Sequence, residues 1–299
     1  MARANKYGIT LLEVAPGPVY SSAVSSAFAP SATVFEGWAE EVNAEAKYLA
    51  GVAACLRKQD LDVEVKLLED DPALALVSYA THHPEIALIV MSTHGRSGLG
   101  RWIFGSVAEK VLHASPVPLL LIRPRETALP FETVSVPVYK SIVVPLDGST
   151  LAAQALEPAE VITNEFDATL TLVSAVPEMS IYGEIVAPPA LPIEWEDESV
   201  QMSAYLDKTS RRLKAEGYPV NTRLEYGPPA EVILHAAEKV HAQLIVMATH
   251  GRTGLPRLWL GSVAMKVVQA SCRPVLLVRA KQTGIQPETP TSSKEKVAV

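Results

Sequence analysis

The sequence predicts an α/β protein of two tandem doubly wound parallel-sheet domains, the first lacking its N-terminal strand and helix. Three observations predict it. "MSTHGRSGLGRWIFGSVAEKVLHASPVPLLLIR" (Met91–Arg123) returns as "MATHGRTGLPRLWLGSVAMKVVQASCRPVLLVR" (Met247–Arg279), ungapped, with 20 of 33 positions identical. The offset, 247 minus 91 or 156 residues, is domain-sized, whereas solenoid repeats run about 20–50 residues. Short apolar runs also alternate with amphipathic stretches, the pattern of βαβ crossovers over a parallel sheet. Finally, the second copy carries a strand and a helix for which the first has no counterpart.

In chain order, "ITLLEVAP" reads as a strand and "FEGWAEEVNAEAKYLAGVAACLRKQD" as a long amphipathic helix. "VEVKLLE" is a strand, "ALALVSYATHH" a helix and "IALIVMS" a strand; a Gly-rich loop and the strand "VPLLLIR" follow. Nothing before Ile9 serves as an opening strand and helix, so the equivalent of Lys140–Ala168 is missing. That strand belongs mid-sheet, where its loss opens a hole. Either "TVSVPV" (Thr133–Val138) substitutes, or the true start lies upstream of Met1.

The second copy is complete. "KSIVVPLD" is a buried strand, and "GSTLAAQALEPAEVITNEF" a helix capped by Ser149 or Thr150. "ATLTLVSAV" is a strand, followed by a Pro-rich loop, 177–192. "EWEDESVQMSAYLDKTSRRLKAEG" is a helix ended by Gly217. Strand "VNTRLEY", turn "GPP", helix "AEVILHAAEKV", strand "QLIVMAT", a Gly-rich loop, helix "SVAMKVVQAS" and strand "PVLLVR" complete it. The expected boundaries are 1–127 for the first domain, 128–139 for a linker, 140–280 for the second domain and 281–299 for a disordered tail rich in Pro, Thr, Ser and Lys.

Composition narrows the function. A net charge of −7 and a pI near 5.6 supply no field for a polyanion, and the densest basic cluster, Lys208, Arg211, Arg212 and Lys214, is broken by apolar and acidic residues. Nucleic acid is therefore not an expected partner. Two cysteines, Cys55 and Cys272, make neither a disulfide framework nor a metal set and read as small buried hydrophobes in a reducing compartment. Apolar runs such as "ALIVM" and "LLLI" fall far short of the ~20 residues of a membrane span, and the N-terminus lacks a signal-peptide core.

The chemistry concentrates at strand carboxyl ends, where ligands of doubly wound sheets bind. In "ATHGRTGLPRLWLGSV" (Ala248–Val263) a strand enters, glycines allow close backbone approach and a helix begins near Ser262. The N–H groups of Gly251, Arg252, Ser262 and Val263, the Ser262 hydroxyl and the Arg252 guanidinium can converge on an anion there. It is neither a Walker A loop nor a G-x-G-x-x-G fingerprint. Alone, such a loop is equally a packing turn.

The spacing of Ala248, Gly251 and Gly261-Ser262 resembles the G-x2-G-x9-G-[ST] loop of the universal stress proteins, and "IVVPLDGS" and "PVLLVR" match that family too. The chain is thus identified as a tandem member of it, similar over essentially all of 140–280 and less completely over 9–123. The resemblance implies Rossmann-like, adenine nucleotide alpha hydrolase-like domains and ATP as ligand, with Mg²⁺ as a possible companion. Carried over by position, Pro145 and Asp147 face the adenosine, Ala175 and Met247 bracket the base, and Gly251, Arg252, Gly261, Ser262 and Val263 hold ribose and phosphates. Ala248 stands where the family has a glycine, a change that bears on affinity. The first copy keeps Val14, Gly95, Arg96, Gly105, Ser106 and Val107 as a degenerate site, with Ser92 for the glycine and no counterpart of Asp147. Asp71 there replaces Gly227. The family also pairs its last strands between domains, implying an internal pseudo-dimer, with a homodimer as a further possibility.

Other candidates read more plainly. His94 and His250 have no second ligand at metal spacing, His82-His83 sit at a helix end before Pro84, and Ser149 has no partner base. Trp102, Phe104 and Trp259 read as packing residues of the loops. No catalytic or metal residue is assigned. The expected function is a cytoplasmic stress-response protein that binds ATP in its second domain as a regulatory ligand, the first domain acting as internal dimer partner. A scaffold without nucleotide is the alternative and a slow ATPase the third.

Overall fold

Ile142, Val143 and Val144 are each 0 % exposed. A strand without polar alternation needs both faces covered, and in the computed structural model it has them. The structure describes residues 7–15, 32–93, 105–123, 138–176, 194–250 and 260–279. The first half supplies β1 (Ile9–Ala15), α1 (Ala32–Arg57), β2 (Val63–Glu69), α2 (Pro72–His82), β3 (Ile89–Ser92), α3 (Ser106–Ala114) and β4 (Leu119–Ile122). The second supplies β5 (Ser141–Pro145), α4 (Thr150–Ala153), α5 (Leu156–Phe166), β6 (Thr169–Val176), α6 (Glu194–Ala215), β7 (Val220–Tyr226), α7 (Pro229–Lys239), β8 (Leu244–Ala248), α8 (Ser262–Ala270) and β9 (Val275–Val278).

Seven strands form one mixed sheet in the order β3-β4-β9-β8-β5-β6-β7. All neighbours are parallel except β4 and β9. Within the second half β5 is central, pairing β6 on one side and β8 on the other. Ile142 and Val144 pack with Leu156, Ile162, Leu206 and Val246 on one face, and Val143 packs with Ile233, Ile245 and Val267 on the other. Each such aliphatic side chain contributes roughly 1.5–3 kcal/mol on burial.

The first half divides where the sequence lacks a strand. β1 and β2 make a separate two-stranded parallel sheet, while β3 and β4 join the large one. β1 corresponds to β6 and β3 to β8, so the break falls where β5 would stand. Among the described residues no strand joins β1 to β3. Most of Thr133–Val138 lies outside the described residues, but Val138 is three residues from Ser141, at most about 11 Å of chain. The break lies beyond β3, five strand spacings from β5, about 24 Å. Val138 itself is therefore out of reach of the break; Thr133–Pro137 lie outside the described residues.

β4 and β9 hold the halves together. Their antiparallel register sets Leu119 against Leu277, Leu120 against Leu276 and Leu121 against Val275. Leu120 and Leu276 are the same position of the repeat, so a local two-fold axis passes between them. Each apolar edge covers the other, and Arg279 Nη1 reaches the Ser115 carbonyl across the join, at 3.4 Å.

Two local expectations change. The helix expected through 148–166 is interrupted after Ala153. Pro158 explains this, because in a continuous helix its ring would meet the Gln154 carbonyl and it has no N–H to donate. The cysteines are not buried: Cys272 is exposed, in the turn before β9, and Cys55 is partly exposed. The linker up to residue 137, the Pro-rich loop and the tail lie outside the described residues.

Candidate functional site

At the carboxyl ends of the adjacent strands β5 and β8 the chain turns in two ways. After β5 it leaves through Asp147 and Gly148, whose φ of +83° suits glycine. Asp147 Oδ1 accepts from the Ser149 N–H at 3.0 Å and from its hydroxyl at 2.6 Å. Ser149 Oγ in turn caps α4 by accepting from the Ala152 N–H at 3.0 Å. This Asx-type turn fixes the carboxylate at the strand end. Below it, Ser174 Oγ donates to the Leu146 carbonyl at 2.6 Å, locking β5 to β6.

After β8 the chain returns to begin α8. Gly261 N–H donates to the Thr249 carbonyl at 2.8 Å. A Cβ at Gly261 would lie 3.0 Å from that carbonyl oxygen, so the close approach itself requires glycine. Among the described residues no side chain caps α8, and the first-turn N–H groups at Ser262 and Val263 have no intrahelical partner. Ser262 is exposed and Val263 half-buried. An uncapped helix N-terminus with a hydroxyl beside it favours an anion.

Because β5 connects on toward β6 while β8 lies on its other side, the two turns leave adjacent strands at the switch point of the sheet. Pro145, paired with Val173, and Asp147 come from β5 and its exit. Ala175 is half-buried on β6, and Met247 is buried on β8. Gly261, Ser262 and Val263 come from the start of α8. Seven of the nine expected positions thus lie on or just after β5, on β6 and β8, or at the start of α8; Gly251 and Arg252 lie outside the described residues. His250 Nδ1 is 3.1 Å from Thr249 Oγ1, a local contact within the turn. No group of three or more His, Cys, Asp or Glu suited to a metal occurs among the described residues, and no described helix is long and apolar enough to cross a membrane.

Tyr205 was not among the expected residues. It lies on α6, and burial lifts its phenol above the ordinary value, with the nearby Asp147 carboxylate adding to the rise. The signal available in the sequence was the Tyr-Leu pair repeated at Tyr48-Leu49 and Tyr205-Leu206. Core spacing of the leucines concealed it.

In the first half, Gly105, Ser106 and Val107 repeat the second turn. Gly105 N–H meets the Thr93 carbonyl at 3.1 Å, a Cβ there would lie 3.1 Å from the same oxygen, and no side chain caps α3. Val14 sits half-buried on β1, in the other sheet. Gly95 and Arg96 lie outside the described residues. Asp71, where the other copy has Gly227, caps α2 through the Ala73 and Leu74 N–H groups at 3.0 and 3.1 Å and pairs with Lys110 of α3 at 3.2 Å. Its charge is absorbed by the fold.

The model of the universal stress protein family matches twice, over residues 1–123 and 138–279. A universal stress protein of Methanocaldococcus jannaschii is 37% identical over 148 residues, 48% of this chain and 83% of that relative. One from Mycobacterium bovis is 28% identical over 285 residues, covering 85% of this chain and 84% of its own. Among solved structures, a universal stress protein from Archaeoglobus fulgidus superposes with a TM-score of 0.63 at 21% identity, over 92% of this chain and 86% of that one. At that identity the likeness speaks for the fold alone.

Proposed function

The chain belongs to the universal stress protein family, and on that premise we propose that its second half binds ATP, or a closely related adenine nucleotide, as a regulatory ligand. The observation that carries this reading is that Asp147 and the start of α8 follow the carboxyl ends of two adjacent parallel strands, β5 and β8. Asp147 offers an acceptor for adenosine hydroxyl or amino groups. Ser262 and Val263, with Gly251 and Arg252 from the intervening loop, take the phosphates. Pro145, Ala175 and Met247 line the base. The donor set fits an anionic, hydroxyl-bearing ligand. Bound ATP would supply charge and contacts, with Mg²⁺ shielding its phosphates, and at a hundred times its Kd would stabilise the fold by ~2.7 kcal/mol.

The first half serves mainly as the internal partner across β4 and β9. Among the described residues its Gly105-Ser106 turn has no acid equivalent to Asp147, so it takes nucleotide poorly. A cytoplasmic protein of this kind would answer stress through ligand occupancy. A second reading, a scaffold without nucleotide, is favoured by the buried Ala248 in the family's glycine position and by the same turn forming in the first half without an acid.

Isothermal titration with ATP and Mg²⁺ separates the two. We expect one site per chain, lost in Ser262→Glu and kept in Ser106→Glu; an acid at a helix start leaves the helix intact. Absence of binding by the folded wild-type chain would replace the nucleotide reading with the scaffold.

A further inference from the structure

We infer that β7, an outer edge of the large sheet, pairs antiparallel with β7 of a second copy of this chain, joining two sheets across a two-fold axis at Leu224. The backbone phase of the strand and its charges together specify the partner and the register.

The phase follows from the ladder with β6. Leu170 N–H donates to the Pro219 carbonyl and Gly227 N–H to the Val176 carbonyl, both at 2.9 Å. In a parallel pair, alternate residues direct both backbone groups to the same neighbour. Asn221, Arg223 and Glu225 therefore bond to β6, and Thr222, Leu224 and Tyr226 turn their N–H and C=O groups outward. Among the described residues no strand lies on that side. The register of β7 on β6 runs from Val220 to Tyr226 without a bulge, and the strand holds no proline. Two common devices for blunting an edge are thus missing.

The charges select the partner. Arg223 and Glu225 stand on the α7 face, where Glu225 meets Arg223 at 2.7 Å, His235 at 3.3 Å and Lys239 at 3.8 Å. Leu224, on the other face, packs against the cluster that holds Leu206 and Leu213 of α6. Tyr226 shares that face and is 62% exposed. Pairing of two copies requires outward residues to face outward residues. Centred on Leu224, the antiparallel pair sets Leu224 against the partner's Leu224 and Thr222 against the partner's Tyr226, with two hydrogen bonds in each such pair. Arg223 then faces the partner's Glu225, and by symmetry the contact occurs twice. Centring on Arg223 sets arginine on arginine, and centring on Glu225 sets glutamate on glutamate, both unfavourable. Centring on Thr222 leaves Arg223 opposite Asn221. In the Leu224 register Tyr226 is also covered by a cross-strand threonine, a favourable aromatic–β-branched pair. α6 packs on both β6 and β7, so its two copies stand about two strand spacings apart, ~10 Å, an ordinary distance for packed helices.

The first half is the internal control. β2 pairs with β1 as β7 pairs with β6, Val63 standing at the position of Val220. Lys66 and Leu68 there replace Arg223 and Glu225, so the same register sets an ammonium on a leucine. Lys66 is already paired with Glu64 at 2.6 Å, and the exposed Glu69 replaces Tyr226. β2 lacks the complementarity, and the dimer forms through β7.

Sedimentation velocity of the full chain, from low to several hundred micromolar, tests this, since an edge pair lies at the small end of stable interfaces. A monomer–dimer equilibrium is expected, with amide exchange slowed in the dimer at Thr222, Leu224 and Tyr226 and unchanged along β2. Arg223→Glu and Glu225→Arg each set like charges opposite one another and should weaken self-association tenfold or more. An equimolar mixture of the two should dimerise again, because each then meets its opposite. Thr222→Pro removes an N–H that faces outward, a position where an edge strand tolerates proline, and should abolish dimers while the circular dichroism stays that of the wild type. Lys66→Glu should leave the dimer intact. A chain that stays monomeric throughout the range overturns the inference. So do dimers indifferent to Arg223→Glu and Thr222→Pro, or exchange slowed on β2 or β3 in place of β7. Failure of the two folded charge variants to dimerise on mixing overturns the Leu224 register.

Discussion

Val246 and Val90 occupy the same position of a repeat, on strands of nearly identical sequence, yet one is wholly buried and the other more than half exposed. Nothing local accounts for it. Among the described residues the difference lies in one strand and its following helices, present as β5, α4 and α5 in the second half only. A central parallel strand has neighbours on both edges and both faces, so its loss affects everything around it. Among the described residues the large sheet ends at β3, β1 and β2 form a separate ribbon, and no strand between them carries an acid to the switch point. Burial and binding chemistry are thus coupled through the same segment.

The strongest way to break this comparison is to charge the matched valines. Val246→Lys buries an ammonium among Ile142, Val144 and Leu206 without a partner, a change on the order of 4 kcal/mol or more. Val90→Lys should stay within about 0.5 kcal/mol, as surface substitutions do. Urea denaturation of both variants checks this, and equal losses would mean that Val90 is covered in solution.

Next in size is the ligand. Asp147→Asn removes a charged acceptor while keeping the shape, and charge-assisted hydrogen bonds of about 1.5–3 kcal/mol imply ATP binding roughly 10- to 100-fold weaker. Ser149 loses a charged partner as well, so thermal melting of the unliganded variant must accompany the titration. An unchanged affinity would remove Asp147 from the binding surface.

Smaller still is a comparison that should show no difference between the halves. Gly261→Ala and Gly105→Ala each drive a Cβ against a backbone oxygen, at 3.0 and 3.1 Å. Crowding of this kind costs roughly 1–3 kcal/mol. Both should destabilise alike, because the turn is a requirement of strand–helix packing before it is a ligand cradle. A loss at Gly261 alone would show that the second turn is the tighter.

Much of this was legible in the sequence. The alternation of apolar runs and amphipathic helices placed all nine described strands, and the absent counterpart of "IVVPLDGS" announced the break between β1 and β3 among the described residues. Doubly wound topology accounts for the neighbouring strands β5 and β8, after which Asp147 and Ser262 follow. Side-chain surroundings were less accessible. Tyr205 sits by Asp147 through packing of α6 on the sheet, a tertiary contact without a local signature. Pro158 could have been read as a helix break, since its clash with the Gln154 carbonyl is a matter of spacing alone. The exposure of Cys272 follows from its turn, against the usual burial of its residue type.

The smallest difference, at Asp71, tests how the incomplete half holds its helices. The second copy has Gly227 at this position, with φ +135°, and no acid to cap α7. In the first copy the Leu74 N–H chiefly, then the Lys110 ammonium and the Ala73 N–H, hold the Asp71 carboxyl below its ordinary value against the opposing pull of partial burial. A depressed folded value means that the unfolded chain binds more protons as the pH falls, so stability rises with pH through that window. The contribution is complete above the unfolded carboxylate value, about 3.9, and is lost as pH falls through the folded one. Asp71→Ala should therefore cost about 1 kcal/mol at pH 7, a typical cap loss, and progressively less in acid. Asp71→Asn keeps a capping oxygen and should cost only a few tenths at pH 7. Urea midpoints of the three proteins at pH 7 and pH 3 decide the matter. A pH-independent loss in Asp71→Ala would assign the effect to helix geometry, leaving charge no part in joining α2 to α3.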